Sequence, residues 1–139
     1  MIYVFDFETE TTYGVNNKLK TVLELEKGVT YKLDIVFPPG PAHLLHVQIR
    51  DALHSVWPTN ADADFAGDNH TITFEDEYPV IEPPYQLTAY TWNEDDTHVH
   101  RVIIRIGVKP IAIVEPEKVQ ALYESWMVPP EFLTLEEGG

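Results

Sequence analysis

Apolar and polar residues alternate along most of the first 110 residues, and this two-residue period limits the fold more than any other feature of the sequence. In the first run, Tyr3, Phe5 and Phe7 fall on one side, while Asp6 and Glu8 fall on the other. Successive side chains of a β-strand point to opposite faces, so the pattern predicts strands with one buried face. The same pattern recurs in residues 19–25, 29–37, 45–49, 70–74, 85–92 and 98–108.

Turn and proline signals separate these runs. Lys27-Gly28 predicts a hairpin or a corner, and Pro38-Pro39-Gly40-Pro41 breaks any ladder because proline has no N–H to donate. Residues 93–97 predict a hairpin loop that joins the runs 85–92 and 98–108. About seven to nine short strands without a long helical period predict an all-β domain over residues 1–110. An antiparallel β-sandwich of the immunoglobulin-like or jelly-roll type is expected.

Residues 111–139 differ in character and are predicted to form a C-terminal extension. Pro116 suits the first turn of a helix, and the apolar residues that follow it have i, i+3, i+4, i+7 spacing, which predicts a short helix over about residues 116–127. A tail with apolar residues among acids comes next. These apolar positions either fold back on their own sandwich, as terminal elements often do, or pack against a neighbouring subunit, and the functional hypothesis uses the second arrangement. The interaction residues are Val119, Leu122, Tyr123, Trp126, Phe132, Leu133 and Leu135.

Charge and composition restrict the partners. The chain has 9 Lys and Arg against 23 Asp and Glu, a formal net charge of −14, so nucleic acid and anionic membranes are not expected as partners. It has no cysteine, which excludes disulfides, thiolate metal sites and cysteine nucleophiles. The N-terminal residues do not resemble a signal peptide, and no segment approaches the ~20 apolar residues of a membrane span.

The residues Asp6-Phe7-Glu8-Thr9 resemble the first motif of the 3′-5′ exonuclease family, in which an Asp-x-Glu pair holds catalytic metal ions. The resemblance implies further metal-binding aspartates in an α/β domain with several helices. Because residues 1–110 have no helical period, the motif is interpreted as a strand with an acidic outward face. No serine-hydrolase elbow, phosphate loop or zinc-protease motif occurs in the sequence. The protein is therefore predicted not to be an enzyme, and no catalytic residue is assigned.

An Asp-rich loop is the candidate metal site. Oxygen-bearing side chains at every second position suit Ca²⁺, which takes six to eight oxygen ligands. The run resembles the start of an EF-hand loop, but Phe65 and Thr71 replace its glycine and its bidentate glutamate. Calcium is the one cofactor considered, in a site of another kind, with the candidate ligands Asn60, Asp62, Asp64 and Asp68.

Histidines offer a second metal hypothesis. His98 and His100 share one strand face, and two such imidazoles bind zinc or copper if a third arrives from a neighbouring strand. His46 or His70 is the candidate third ligand. Simple hydrogen bonding of these rings is the alternative.

These features favour a non-enzymatic structural protein. We expect an accessory or decoration component that stabilises the capsid of a virus particle, or a part of a similar symmetric assembly, and thus a homo-oligomer. Its location is left open, with the virion as the one candidate. The C-terminal arm would contact the neighbouring subunit. The alternative is a calcium-assisted carbohydrate-binding module with a platform of exposed rings. Its candidate rings are Trp57, Tyr85, Tyr90 and Trp92.

Overall fold

A computed structural model describes residues 1–127 of the chain, which form two antiparallel β-sheets packed face to face, followed by one short helix. The predicted β-sandwich is confirmed. Its elements, in chain order, are β1 (Ile2–Thr9), β2 (Leu19–Glu24), β3 (Gly28–Phe37), β4 (Leu45–Asp51), β5 (His54–Trp57), β6 (Phe65–Ala66), β7 (His70–Phe74), β8 (Pro79–Val80), β9 (Gln86–Asn93), β10 (His100–Pro110), a 3-10 turn (Ile111–Ile113) and α1 (Pro116–Met127).

The first sheet, which we call sheet A, has the order β1-β10-β3-β7, with β8 also paired to β3. The second, sheet B, has the order β2-β9-β4-β5, with β6 also paired to β4. β1 therefore forms one edge of sheet A, and β2 forms one edge of sheet B. Residues 25–27, which lie between β2 and β3, carry the chain from sheet B to sheet A and form a corner, one of the two arrangements expected at Lys27-Gly28.

The predicted hairpin of residues 85–92 and 98–108 is wrong. β9 pairs with β2 and β4 in sheet B, whereas β10 pairs with β1 and β3 in sheet A, so the loop between them crosses from one sheet to the other. Both strands keep the predicted alternation, because each has one face in the same core. Alternation fixes which side chains are buried, but it does not tell which sheet a strand joins.

The inner faces of the two sheets supply the core. Leu33 and Ile35 of β3 and Ile104 and Ile106 of β10 come from sheet A and are fully buried. They meet inner-face residues of sheet B that are equally buried, such as Val47, Ile49 and Leu87. Burying side chains of this size stabilises the fold by about 1.5–3 kcal/mol each. This core holds both sheets in register, and the loops and the C-terminal helix are attached to it. Within residues 1–127, no helix is long and apolar enough to cross a membrane.

Candidate functional site

The C-terminal helix α1 begins at Pro116, as predicted, and its first turn carries Glu117, which suits the positive end of the helix dipole. The helix lies against the sandwich close to β8. The apolar face expected from the sequence turns toward the domain, because its four residues are half-buried while most other positions of the helix are exposed. These residues are Val119, Leu122, Tyr123 and Trp126.

Trp126 anchors the helix. Its indole Nε1 donates a hydrogen bond to the backbone oxygen of Glu77 over 2.7 Å. Its ring meets the edge of the Tyr78 ring, with the centroids 4.9 Å apart, and lies 6.4 Å from the ring of His54. One side chain therefore combines a satisfied polar group with aromatic packing, an arrangement that Trp often adopts at contact surfaces.

Tyr78 forms the floor of this contact and is fully buried. Its hydroxyl donates to Asp51 Oδ2 over 2.6 Å, and its backbone N–H donates to Thr30 Oγ1 over 2.8 Å. Burial, followed by the hydrogen bond and the charge of Asp51, raises the pKa of Tyr78 well above its usual range. The phenol therefore stays protonated as a donor, and the residues under α1 form a rigid seat.

Two polar contacts tether the exposed side of the helix. Lys118 Nζ lies 3.0 Å from Glu77 Oε2, and the hydroxyl of Tyr123 donates to Glu82 Oε1 over a long 3.4 Å. Exposed pairs of this kind contribute only about 0–1 kcal/mol each. Most of the docking energy therefore comes from the half-buried apolar face that includes Trp126.

The docking of α1 is incomplete. None of its twelve residues is buried, and a cleft opens on each side of the helix. One cleft, of about 380 Å³, lies between α1, the β4–β5 turn and the β8–β9 connection, and its lining includes Asp51, Glu82 and Met127. The other, of about 650 Å³, lies over Tyr31 and Lys109. The helix thus presents a partly covered apolar face with a concave surface on either side.

The predicted calcium ligands make contacts with other protein groups. Asp64 Oδ1 lies 2.6 Å from His46 Nδ1. Asp68 Oδ1 accepts from the backbone N–H groups of Gly40 and Ala42, at 2.8 and 3.1 Å. The bond from Ala42, then that from Gly40, lowers the pKa of Asp68. Because Gly40 and Ala42 have positive φ angles, Asp68 holds a left-handed stretch of the loop after β3.

The other two candidate calcium ligands, Asn60 and Asp62, are exposed at the start of the Asp-rich loop. In the part of the chain that the structure describes, no group of three or more His, Asp or Glu side chains has the arrangement of a metal site. Calcium binding by this loop stays a prediction.

The histidines of the second metal hypothesis have separate partners. His100 Nε2 lies 2.8 Å from Asp95 Oδ2, and His98 Nδ1 lies 2.7 Å from the hydroxyl of Thr97. His46 stacks on the indole of Trp92, with ring centroids 5.0 Å apart, on the outer face of sheet B. His70 is exposed at the start of β7. The rings of His100, His98 and His46 are therefore hydrogen-bonded to protein groups, which is the alternative to a metal site.

Asp95 organises the loop that crosses between the sheets. Its carboxylate accepts hydrogen bonds from the backbone N–H groups of Thr97 and His98 and from the Thr97 hydroxyl. It also pairs with the ring of His100. The N–H of Thr97, followed by the hydrogen bond with His100, holds the pKa of Asp95 well below its usual range. The ionised carboxylate is therefore preferred in the folded protein, and it stabilises this crossing.

Three of the four aromatic rings proposed for carbohydrate binding have no open face. Trp57 is 3% exposed, and its Nε1 donates a hydrogen bond to Asp76 Oδ2. Trp92 is 5% exposed, since His46 stacks on it and Lys18 Nζ lies 4.7 Å from its centroid. Tyr90 is 8% exposed beneath Lys20 and Arg50, and Tyr85 is half-buried. These rings pack within the protein.

The exonuclease-like motif lies on the edge strand β1, with its carboxylates on the outward face. Asp6 forms a two-pronged ion pair with Arg101 of the neighbouring β10, whose guanidinium lowers the pKa of Asp6. This cross-strand pair matches the interpretation of the motif as the acidic outward face of a strand.

The sequence predicted the apolar face of α1 but not the residues that receive it. Glu77 contributes a backbone oxygen, which leaves no sequence signal, and Tyr78 stood between acids and prolines, outside any alternating run. Phe132, Leu133 and Leu135, predicted to be interaction residues, lie outside the described residues. Comparisons with protein-family models, curated proteins and solved structures found no match. The function must therefore be inferred from the surfaces described above.

Replacing Trp126 tests how α1 is held. Trp126→Ala removes the anchor and costs about 1–2 kcal/mol of docking energy, because a half-buried ring loses its packing. We expect chymotrypsin to cleave at Leu122 and Tyr123 about ten times faster, while the unfolding midpoint of the β-sandwich stays nearly constant. Gln120→Ala, which changes an exposed position of the same helix, is the control. Equal cleavage rates in the two variants would show that Trp126 does not hold the helix.

The lowered pKa of Asp95 predicts an acid dependence of stability. A carboxyl whose folded pKa lies below the unfolded value of about 3.9 stabilises the fold above that pH, and this contribution fades as the pH falls further. The free energy of unfolding, measured in urea, should therefore fall less for Asp95→Asn than for the native protein between about pH 4 and pH 2. Asp96→Asn changes an exposed neighbouring residue and is the control. Its free energy of unfolding should change with pH as that of the native protein does. If the free energy of unfolding of Asp95→Asn fell with pH as steeply as that of the native protein, the role given to this carboxylate would be contradicted.

Proposed function

We propose that this protein is a non-enzymatic structural component of a symmetric assembly, in which residues 111–139 contact a neighbouring subunit. One observation carries the proposal: α1 lies on its own sandwich with its whole apolar face only half-buried. Apolar surface left in water costs about 25 cal/mol per Å² relative to its burial. A neighbouring subunit that packs into the two clefts would cover the rest of that face.

The edge of sheet A supports the same proposal. β1 is unpaired on its outer side among residues 1–127, and Met1, Ile2 and Val4 are 57%, 59% and 61% exposed. Long edge strands with exposed apolar residues are prone to pair with other chains unless something covers them. The strand is therefore a second surface on which an assembly contact would remove apolar area from water.

The polar groups also support a structural role over a chemical one. The carboxylates of Asp51, Asp76 and Asp95 each bond a core or loop residue, and His100 is engaged by Asp95. The charge of −14 keeps such a subunit soluble before it is incorporated. We propose in particular an accessory or decoration component that stabilises a virus capsid. The carbohydrate alternative is not favoured, because three of its four rings are covered.

Removal of the C-terminal extension tests the proposal. Truncation after Val114 leaves β10 and the 3-10 turn intact, including the bond from Ile111 N–H to the Lys27 oxygen. We expect the full chain to form oligomers by native mass spectrometry, and the truncated protein to be a folded monomer with an unchanged circular dichroism signal for β-structure.

A second truncation, after Met127, separates the helix from the residues that follow it. Partial loss of association would assign part of the contact to α1 and part to residues 128–139. If the full chain is monomeric, or if the protein truncated after Val114 keeps the same oligomeric state, the proposed function is wrong.

A further inference from the structure

The outer face of sheet B carries three cations on a strongly acidic protein, beside Asp64 and Glu94, whose carboxylates lie 2.6 and 3.4 Å from the ring of His46. Lys18 Nζ lies 4.7 Å from the centroid of the Trp92 ring, and Lys20 Nζ lies 5.7 Å from that of Tyr90. The guanidinium carbon of Arg50 lies 4.5 Å from the centroid of Tyr90. We call these three cations and two rings the cationic face. It holds three of the nine Lys and Arg residues of the chain.

These three cations make no ion pair within residues 1–127, although the chain has 23 carboxylate side chains. Arg50 donates from Nη2 to Gln48 Oε1 over 2.8 Å, and its buried Nε has no partner among the described residues. Arg101, Arg105 and Lys118 each pair with a carboxylate, whereas Lys27, Lys32 and Lys109 also make no ion pair among residues 1–127. The cationic face differs from these other lysines because its three cations lie together over the rings of Trp92 and Tyr90. The face therefore has unused capacity for an anion.

The complementary chemistry is in the sequence of the chain itself. Residues 131–137 carry Glu131, Glu136 and Glu137 without any Lys or Arg, together with Phe132, Leu133 and Leu135. Carboxylates suit ammonium and guanidinium groups, and apolar side chains suit the stems of the two lysines. A seven-residue extended segment spans about 23 Å, which is long enough to cross the cationic face, whose two rings lie two residues apart on β9.

We propose that the cationic face of one subunit binds residues 131–137 of a neighbouring subunit. The inference rests on the proposed function and names the surface that receives the C-terminal extension. A neighbour is favoured over the same chain because the chain passes Met127 on the rim of a cleft lined by Asp51 and Glu82. These carboxylates repel an acidic segment that approaches from the end of its own helix. A segment from another subunit approaches without passing them.

Charge reversal on each side tests this contact in the full chain. Lys18→Glu with Lys20→Glu, and separately Glu136→Lys with Glu137→Lys, should each weaken self-association about tenfold or more in sedimentation velocity. An equimolar mixture of the two variants should associate with restored affinity, because each supplies what the other lacks. Lys27→Glu with Lys32→Glu is the matched control, since both lysines are exposed and lie outside the cationic face.

The mixture distinguishes the possible results. If the lysine reversal leaves association unchanged, or if mixing does not restore it, the assignment of this face is wrong, while the proposed function stands as long as truncation after Val114 still gives monomers. If restoration occurs only when all four substitutions are in one chain, the contact lies within a single subunit, which also overturns the inference. Arg50→Gln is a second probe should the lysine variant fail to fold, and it should weaken association in the same direction.

Discussion

The burial of two alternating apolar faces against each other is the constraint on which the rest of the structure depends. Because Leu33, Ile35, Ile104 and Ile106 of sheet A are wholly removed from water by sheet B, the strands cannot slip by one residue without exposing them. The fixed register then determines which side chains point outward. Among these is Trp92, which stays covered by His46 and Lys18.

The C-terminal helix depends on that frame and is less strongly held. Its seat is built from the β7–β8 connection, where Tyr78 is tied to Thr30 of β3 and to Asp51 of β4, and thus to both sheets. The helix adds Trp126 and two exposed polar tethers. A stable scaffold with a weakly docked, partly apolar helix suits a subunit that needs a preformed surface for a neighbour, and it limits the entropy lost on association.

How much the sequence could predict depended on whether the signal was local. The strand faces, the helix bounds and the apolar positions up to Trp126 follow from periodicity, and they are found in the structure. The partners of β9 and β10 could not be derived, since alternation is the same in a hairpin and in a crossing between sheets. The oxygen that receives Trp126 and the rings under Lys18 and Lys20 belong to residues distant in sequence, so only the folded arrangement brings them together.

The most direct test of the account is backbone hydrogen exchange in α1, measured by mass spectrometry in dilute and in concentrated protein. If residues 117–127 lie in a contact between subunits, their amides should exchange more slowly in the concentrated sample, while the amides of β3 and β10 exchange equally in both. Exchange of residues 117–127 that does not depend on protein concentration, in samples whose oligomeric state differs, would contradict the account.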